Sequence, residues 1–377
     1  AGMLAHAAWL FGICGPRTHR PTEEAPNITR LDGVDGSTDS GTLRVVVCTW
    51  NVGDKLGEVP PPTLDQLTWF SKLCADQAVD IVLVGLQELT PGQLADWGSA
   101  FQKALPADFA LLFRQHADTY IPLFVYARVG TATVCPLSDG VDPETSSMTS
   151  EKALRFHLDE AGVASKGCVA CVVTWRGRLA LRIVNAHLQH AYTGLAKRNR
   201  QQGEIEQHFA TVSSMPATVR HLPSMLLQFG DLNYRINPEC LLTAEPTKQD
   251  PGGSETFCEE FRKLVDICEQ PGSATLLWPG RDQLQQARLA GQAFVGFEEA
   301  PVTFSPTYKR IPGEEARSVA YDREQKRLPG WCDRVLWKPL APGVSLKSSG
   351  YDAIEEVNWT DHRPVVAVLN LIAEPSG

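Results

Sequence analysis

Four mostly apolar runs along the chain each lead into a polar side chain. Such runs are typical of buried strands, and ligands gather at strand ends because the strands are rigid while the loops vary. The runs at 45–50, 81–86, 181–186 and 225–229 lead into Asn51, Glu88, His187, and Asp231 with Asn233. Asp231 and Asn233 are two residues apart, which in an extended backbone places both side chains on one side. As a set, these strand ends are predicted to carry the function.

Between these runs, apolar residues recur at helical spacing. Three such stripes predict helices whose aromatic residues lie in the core. They are Leu64, Leu67, Phe70, Leu73 and Cys74; Leu94, Trp97, Phe101, Ala104 and Leu105; and Phe257, Phe261, Leu264, Val265 and Cys268. Residues 168–175 and 178–185, joined through Arg176 and Gly177, predict a hairpin. The sheets are therefore expected to be at least partly antiparallel.

The length of the chain sets the domain organisation. Its 377 residues exceed a typical domain, yet no linker divides them, so we expect one large domain over 42–373 and an N-terminal extension over 1–41. No apolar run approaches the roughly 18 residues that cross a bilayer. The extension also lacks the basic start of a signal peptide.

Charge narrows the class of ligand. A net charge of -9 disfavours a general nucleic-acid binder, whose affinity comes from neutralising phosphates. Residues 305–338 nevertheless carry eight Lys or Arg against five Asp or Glu, a local net charge of +3. A small polyanionic substrate fits this distribution better than a long nucleic acid.

The ten cysteines do not form a disulfide scaffold in a chain of this length. Cys168 and Cys171 have the spacing of a metal or redox pair, but residues three apart on a strand face opposite sides. Two buried free thiols are expected instead. A reducing cytoplasm is the expected location, with at most peripheral association with membranes.

Four segments together carry a family resemblance. Residues 229–235 read FGDLNYR, 304–309 read FSPTYK, 328–337 read LPGWCDRVLW and 360–366 read TDHRPVV. In this order they resemble the signatures of the inositol polyphosphate 5-phosphatases, within the magnesium-dependent endonuclease/exonuclease/phosphatase superfamily. The resemblance runs from about Thr42 to Ile372.

The resemblance implies both a fold and an activity. The fold is α/β, with two packed, mostly antiparallel β-sheets flanked by helices, a four-layer sandwich like that of deoxyribonuclease I. The region 42–373 would be a catalytic domain that removes the 5-phosphate from inositol polyphosphates or phosphoinositides such as phosphatidylinositol 4,5-bisphosphate, with Mg²⁺ as cofactor. We expect a monomer whose partner is this substrate, with no nucleic acid bound and at most peripheral contact with a membrane.

Chemistry assigns roles to the residues at the strand ends. Mg²⁺ prefers oxygen ligands and retains waters, so Glu88 is the best candidate for its main ligand, with Asn51 beside it and Asp361 opposite. Asp231 is expected to deprotonate or orient the attacking water, and Asn233 to hold that water or a phosphoryl oxygen.

Charge on the phosphoryl oxygens in the transition state requires fixed hydrogen-bond donors. His187 and His362 are the candidates for this role, and the resemblance gives Asp333 as the carboxylate that orients His362. His190, three residues after His187, falls where the family often has another residue and receives no role.

Substrate recognition is predicted from the basic stretch and from the resemblance. The phosphate next to the scissile one, the 4-phosphate in the family, is expected to contact Lys309, Lys326 and Arg327. Further substrate-binding candidates from the same resemblance are Tyr308, Lys166, Arg334 and Asn199.

Two departures from the family pattern leave the substrate open between soluble inositol phosphates and membrane phosphoinositides. Ser165-Lys166-Gly167 replaces an Asn-Lys-Gly segment, and residues 321–327 are one residue shorter than usual. Residues 139–161 are expected to form a polar insertion near the substrate. Two alternatives to a 5-phosphatase remain: a nucleic-acid phosphodiesterase of the same superfamily, and a catalytically silent phosphoinositide-binding module.

Overall fold

The computed structural model describes most of the chain downstream of residue 40. The described residues are 41–54, 57–76, 78–117, 120–135, 156–157, 166–211, 215–238, 255–313, 319–324 and 327–373. The N-terminal extension, nearly all of the insertion at 139–161, and Lys326 lie outside them. Within the described part, no helix is long and apolar enough to cross a membrane.

The secondary structure is built mainly from strands. The strands are β1 (Thr42–Asp54), β2 (Ile81–Leu89), β3 (Phe109–Ala117), β4 (Ile121–Arg128), β5 (Ala132–Cys135), β6 (Phe156–His157), β7 (Gly167–Trp175), β8 (Leu179–His187), β9 (Ser224–Asp231), β10 (Asp333–Ala341), β11 (Val344–Ala353) and β12 (Val365–Ala373). The helices are α1 (Thr68–Asp76), α2 (Leu94–Ala104), α3 (Leu195–Phe209), α4 (Glu255–Cys268), α5 (Ser273–Leu277) and α6 (Gln283–Leu289).

These strands form two sheets. The first sheet has the order β11-β12-β1-β2-β4-β3, and the second has the order β10-β9-β8-β7-β5, with β6 also pairing with β7. Within them, β1 runs parallel to β2 and β8 runs parallel to β9, while the other pairs are antiparallel. The predicted fold of two mostly antiparallel sheets flanked by helices is confirmed, as is the hairpin of β7 and β8.

The largest core cluster lies between the two sheets. It joins inward-facing side chains of the first sheet, such as Val47 and Leu83, to those of the second, such as Ile183 and Leu227. Burial of this apolar surface is the main favourable term in folding. A second cluster packs helix α3 against the other face of the second sheet, so the sheets form the inner layers.

Most of the predicted helical stripes are buried, as expected. All five apolar residues of the stripe from Phe257 to Cys268 are buried on α4. Helix α2 buries Trp97 and Phe101, and its Gly98 carbonyl accepts a hydrogen bond of 2.8 Å from the Tyr126 hydroxyl on β4. The prediction is wrong at Leu64, which lies before the start of α1 at Thr68 and is 53% exposed.

The two sheets approach closely where β2 faces β8 and β9. A Cβ atom on Gly85 would lie 2.5 Å from the Phe229 ring and 2.6 Å from the Asn185 side chain. The Asn185 amide nitrogen donates hydrogen bonds of 3.0 Å to the Leu86 carbonyl and 2.8 Å to the Pro122 carbonyl. Its oxygen accepts a bond of 2.8 Å from the Gln87 side chain. Buried hydrogen bonds of this kind fix one sheet relative to the other.

The cysteine prediction is also confirmed. Cys168 packs in the cluster beneath α3, whereas Cys171 packs between the sheets, so the two thiols face opposite sides of β7. Both are free and buried, and burial raises the pKa of the Cys168 thiol to about 12. A protonated thiol is a poor metal ligand and a poor nucleophile.

Arg334, a predicted substrate contact, is instead part of a buried ion-pair cluster. Its guanidinium is fully buried and forms ion pairs with Asp282 at 3.0 Å and with Glu299 at 2.7 Å. Successive side chains on a strand point to opposite faces, so Arg334 points away from the face on which Asp333 lies. Arg334 therefore holds α6 and the chain around Glu299 against β10.

We expect Arg334→Met to destabilise the protein strongly, because the carboxylates of Asp282 and Glu299 would stay buried without their cation. Loss of one partner of a buried ion pair costs about 3–5 kcal/mol. Urea unfolding would measure the loss, with Arg323→Met as control, since ion pairs at the surface contribute about 1 kcal/mol or less. Equal losses in the two variants would contradict the assignment.

Candidate active site

Three strands of the second sheet place a row of ionisable side chains at one end. In the register of the sheet, His187 on β8 pairs with Asp231 on β9, and Asp231 pairs with Asp333 on β10. Gly230 permits this alignment because a Cβ atom there would lie 1.9 Å from the Ala186 carbonyl oxygen. All three side chains are buried.

The first sheet supplies the other side of the site. Asn51 on β1 pairs with Gln87 on β2, so Glu88 lies one residue further along the parallel strand. Glu88 has a φ of +60°, a conformation that costs energy for a residue other than glycine and that is concentrated at functional sites. Its carboxylate lies 4.0 Å from the His187 ring. The two sheets thus meet at this point.

Asp231 has polar contacts on both of its carboxylate oxygens. Its Oδ2 accepts a hydrogen bond of 2.9 Å from Asn51 and lies 3.2 Å from His187 Nε2, and its Oδ1 accepts one of 3.1 Å from the Asn233 backbone amide. Burial alone would raise the pKa of Asp231, but His187, His362 and Lys166 together hold this pKa well below its ordinary value. Asp231 is therefore a carboxylate at neutral pH.

His362 and Asp333 form a pair beside Asp231. His362 Nδ1 lies 2.8 Å from Asp333 Oδ2, and the same oxygen accepts a bond of 2.6 Å from the Thr307 hydroxyl. Burial would lower the pKa of His362, but the charge and hydrogen bond of Asp333 raise it to about 9. The opposite ring nitrogen lies 3.9 Å from Asp231. This pair is the predicted one, and it holds a cationic donor in the site.

His187 has a different environment. Its Nε2 lies close to the buried Lys166 ammonium as well as to Asp231. Burial lowers the pKa of His187, and Lys166 lowers it further. A neutral imidazole carries one proton, so Nε2 either donates to Asp231 or accepts from Lys166.

Asn233 is in the site, but not for the predicted reason. Strand β9 ends at Asp231, and Asn233 has a φ of +58°, so strand alternation does not apply. Its side-chain nitrogen donates to the Leu188 carbonyl at 3.1 Å, and its side-chain oxygen accepts from Arg235 at 2.8 Å. The amide is held by two partners that the spacing alone did not indicate.

Chain segments of the first sheet supply oxygen donors suited to a hard cation. The Asn51 side-chain oxygen accepts a bond of 3.0 Å from the Gly53 amide, and a Cβ atom on Gly53 would lie 3.8 Å from an Asp361 side-chain oxygen. With the Glu88 carboxylate, these oxygens are the ligand type that Mg²⁺ prefers. The predicted set Glu88, Asn51 and Asp361 fits a divalent cation.

Another candidate metal cluster, Asp231 with Asp333 and His362, fits less well. His362 Nδ1 lies 2.8 Å from Asp333, and the same Asp333 oxygen accepts a bond of 2.6 Å from Thr307, so these ligand atoms are already paired with other groups.

The predicted substrate residues differ in where they lie. Tyr308 and Lys309 are in the site: the Tyr308 ring centroid lies 4.6 Å from that of His362, and the Lys309 ammonium lies 3.3 Å from both Asp361 and Asp322. Arg327 is half-buried, and Lys166 contacts His187.

Asn199, another predicted substrate contact, instead binds residues outside the site. It lies on α3, where its side chain accepts a bond of 2.9 Å from the Tyr234 hydroxyl and donates one of 3.3 Å to Gln292. These contacts join α3 to the chain around the second core cluster. Among the hydrogen bonds described for Asn199, none reaches a residue of the site.

The segment 307–310 forms backbone hydrogen bonds on both of its sides. Tyr308 and Gly330 exchange bonds of 3.2 and 3.0 Å. On the other side, the Arg363 amide donates to the Thr307 carbonyl at 3.1 Å and the Arg310 amide donates to the Asp361 carbonyl at 2.9 Å. The chain segments that carry Asp333 and His362 are therefore joined through this one.

Thr307 and Arg235 are functional candidates that the sequence reasoning missed. Thr307 binds Asp333, and Arg235 binds Asn233. Both lie inside the segments that carry the family resemblance, so a signal was present. The residues beside them in these segments, Asp231 and Lys309, have charged side chains whose chemistry is easier to recognise.

The fold and the site define a member of a known class. The model of the Endonuclease/Exonuclease/phosphatase family 2 matches residues 48–368, so the chain belongs to this family. That match includes each of the strand ends and loops described above.

Individual relatives refine this comparison. The chain is 34% identical over 362 residues to synaptojanin of Caenorhabditis elegans, covering 88% of this chain and 28% of that protein. It is 27% identical over 350 residues to human phosphatidylinositol 3,4,5-trisphosphate 5-phosphatase 1, covering 87% and 26%. It is 25% identical to type I inositol polyphosphate 5-phosphatase 8 of Arabidopsis thaliana, covering 96% and 76%. The chain thus spans about a quarter of the length of several of these relatives.

Solved structures share the fold. The inositol polyphosphate 5-phosphatase domain of SPsynaptojanin, in complex with inositol (1,4)-bisphosphate and calcium, has a TM-score of 0.60 at 22% identity and covers 88% of this chain and 85% of that one. A Cimex nitrophorin in its ferrous NO complex has a TM-score of 0.57 at 20% identity, covering 89% and 100%. One fold hosts both, so chemistry must be argued from the site.

Proposed function

We propose that this chain catalyses the magnesium-dependent hydrolysis of the 5-phosphate of inositol polyphosphates or phosphoinositides. One observation carries the proposal: the Asp231 carboxylate lies between Asn51, His187 and the paired His362, at the point where the two sheets meet. Relatives that bear 5-phosphatase names support the same activity.

Asp231 would orient the attacking water and accept its proton. The hydrogen bonds from Asn51 and from the Asn233 backbone hold both of its oxygens, which is the preorganisation that such a role requires. Asn233 would donate to a phosphoryl oxygen from its side-chain nitrogen, which has a second hydrogen beyond the one given to Leu188.

His362 would stabilise the negative charge that spreads over the phosphoryl oxygens in the transition state. Asp333 and Thr307 fix the ring through a shared carboxylate oxygen, so the donor needs little reorganisation when charge develops. The second predicted donor, His187, has its Nε2 beside Asp231 and Lys166, so it would act by holding the Asp231 carboxylate in place.

Glu88, Asn51 and Asp361 would hold Mg²⁺, which when bound neutralises charge on the substrate phosphate. The solved 5-phosphatase domain with the same fold is a complex with inositol (1,4)-bisphosphate and a calcium ion, and this supports a divalent cation. The Asp361 carboxylate is also paired with the Lys309 ammonium at 3.3 Å.

The decisive experiment is phosphate release from a panel of soluble and lipid inositol phosphates, with and without magnesium. Release from 5-phosphorylated members only, and only with magnesium, is the expected result. Cleavage of DNA in the same buffer would favour the nucleic-acid phosphodiesterase. Binding of inositol phosphates without release would favour the silent binding module.

Asp231→Asn should lower turnover by about 100-fold or more, because the amide keeps the shape but removes the proton acceptor. His362→Ala should lower it by a similar factor, since the transition state loses a charged donor. Steady-state phosphate release measures both, with the exposed Asp96→Asn as control. Near-parental turnover of Asp231→Asn would exclude this role.

Glu88→Gln should weaken the apparent affinity for magnesium, because an amide oxygen is a weaker ligand for a hard cation than a carboxylate. Raising magnesium should then restore part of the rate. The measurement is a magnesium titration of turnover at saturating substrate. A titration curve that overlays the parental one would place the metal elsewhere.

Arg327→Ala and Lys309→Ala should lose more activity on a 4,5-bisphosphate than on a substrate without the 4-phosphate. Each lost charged hydrogen bond is worth roughly 1.5–3 kcal/mol, or about 10- to 100-fold in kcat/KM. Lys347→Ala, an exposed lysine on β11, is the control. Equal losses on both substrates would show that these residues do not read the 4-phosphate.

A further inference from the structure

Arg235 contacts three separate parts of the site. Its side chain is only 3% exposed. One guanidinium nitrogen donates to the Asn233 side-chain oxygen at 2.8 Å and to the His190 carbonyl at 3.0 Å. The guanidinium carbon lies 4.1 Å from the centroid of the Tyr308 ring. Arg235 thus joins the chain after β8, the chain after β9 and the segment 307–310.

The contact with Asn233 decides how that amide is oriented. A carboxamide can turn over and exchange its oxygen with its nitrogen at little cost unless its partners distinguish the two. Arg235 has only donors, and the Leu188 carbonyl is only an acceptor. Together they fix the oxygen toward Arg235 and the nitrogen toward Leu188, which leaves a nitrogen-bound hydrogen for a phosphoryl oxygen.

The contact with Tyr308 extends this effect to the opposite side of the site. The Tyr308 ring contacts two groups. The planar guanidinium of Arg235 packs against it, and the centroid of the His362 ring lies 4.6 Å from its centroid. A guanidinium packs on an aromatic face more favourably than an ammonium because it is planar and weakly hydrated.

We propose that Arg235 is a positioning residue that fixes the Asn233 amide and the Tyr308 ring, and that it acts through them without contacting the substrate. The predicted effect of Arg235 on turnover rests on the phosphatase activity proposed above. Its structural content, the orientation of Asn233, can be measured separately.

The test is a double-mutant cycle on turnover with Arg235→Met, Asn233→Ala and the double variant. If Arg235 acts through Asn233, Arg235→Met alone should lower kcat by about 10-fold or more with a smaller change in KM. The double variant should then fall within about threefold of Asn233→Ala alone, since residues that act as a unit are not additive. Arg200→Met, an exposed arginine on α3, is the control.

Arg235→Lys separates positioning from simple charge. Lysine cannot reproduce the fork and the ring contact, so this variant should lose kcat nearly as Arg235→Met does. It also keeps the proposal testable if Arg235→Met does not fold. Parental turnover of Arg235→Lys, or multiplied losses in the double variant, would overturn the proposal and indicate a direct charge contact with substrate.

The side-chain amide signal of Asn233 in a ¹⁵N spectrum, assigned with Asn233→Ala, separates this proposal from the proposed function. The signal should shift in the arginine variants and not in Arg200→Met. If the parent releases phosphate from no inositol phosphate, the proposed function is wrong and this signal alone decides the positioning claim. An unchanged signal in the arginine variants would overturn that claim.

Discussion

The buried Asn185 side chain determines how the two sheets meet, and the site depends on that contact. Apolar packing is not directional, so it permits the sheets to slide past each other by small amounts. The hydrogen bonds from Asn185 to the Leu86 and Pro122 carbonyls, and from Gln87 to Asn185, permit only one relative position. Glu88 comes directly after Gln87, and His187 comes two residues after Asn185. The contact between the first-sheet and second-sheet halves of the site is a direct consequence.

The strand-end residues were predictable because each is local to its strand. A buried apolar run followed by a polar side chain identifies Asn51, Glu88, His187 and Asp231 without any knowledge of tertiary structure. The helical stripes on α2 and α4 were predictable for the same reason. Leu64 was not, because the start of α1 depends on the turn before it and not on apolar spacing.

Other features required tertiary information. The pairing of Lys309 with Asp322 and Asp361, and the Asn199 contact with Tyr234, join residues far apart in sequence or on different elements. The left-handed conformation of Asn233 is set by its partners and not by residue spacing. Arg334 is different: strand alternation, applied to Asp333 and its neighbour, would have placed it on the opposite face.

The backbone pairing of residues 307–310 limits how the selectivity of this chain can diverge. The segment has a hydrogen-bonded neighbour on each side, at Gly330 and at 361–363. An insertion or deletion within it would shift Thr307 and Tyr308 together, and so would move a hydroxyl from Asp333 and a ring from His362. Side-chain replacement at Lys309 leaves the ladder unchanged. The side-chain chemistry of this segment can therefore change by point substitution, whereas changes in loop length are more easily tolerated beyond the ladder.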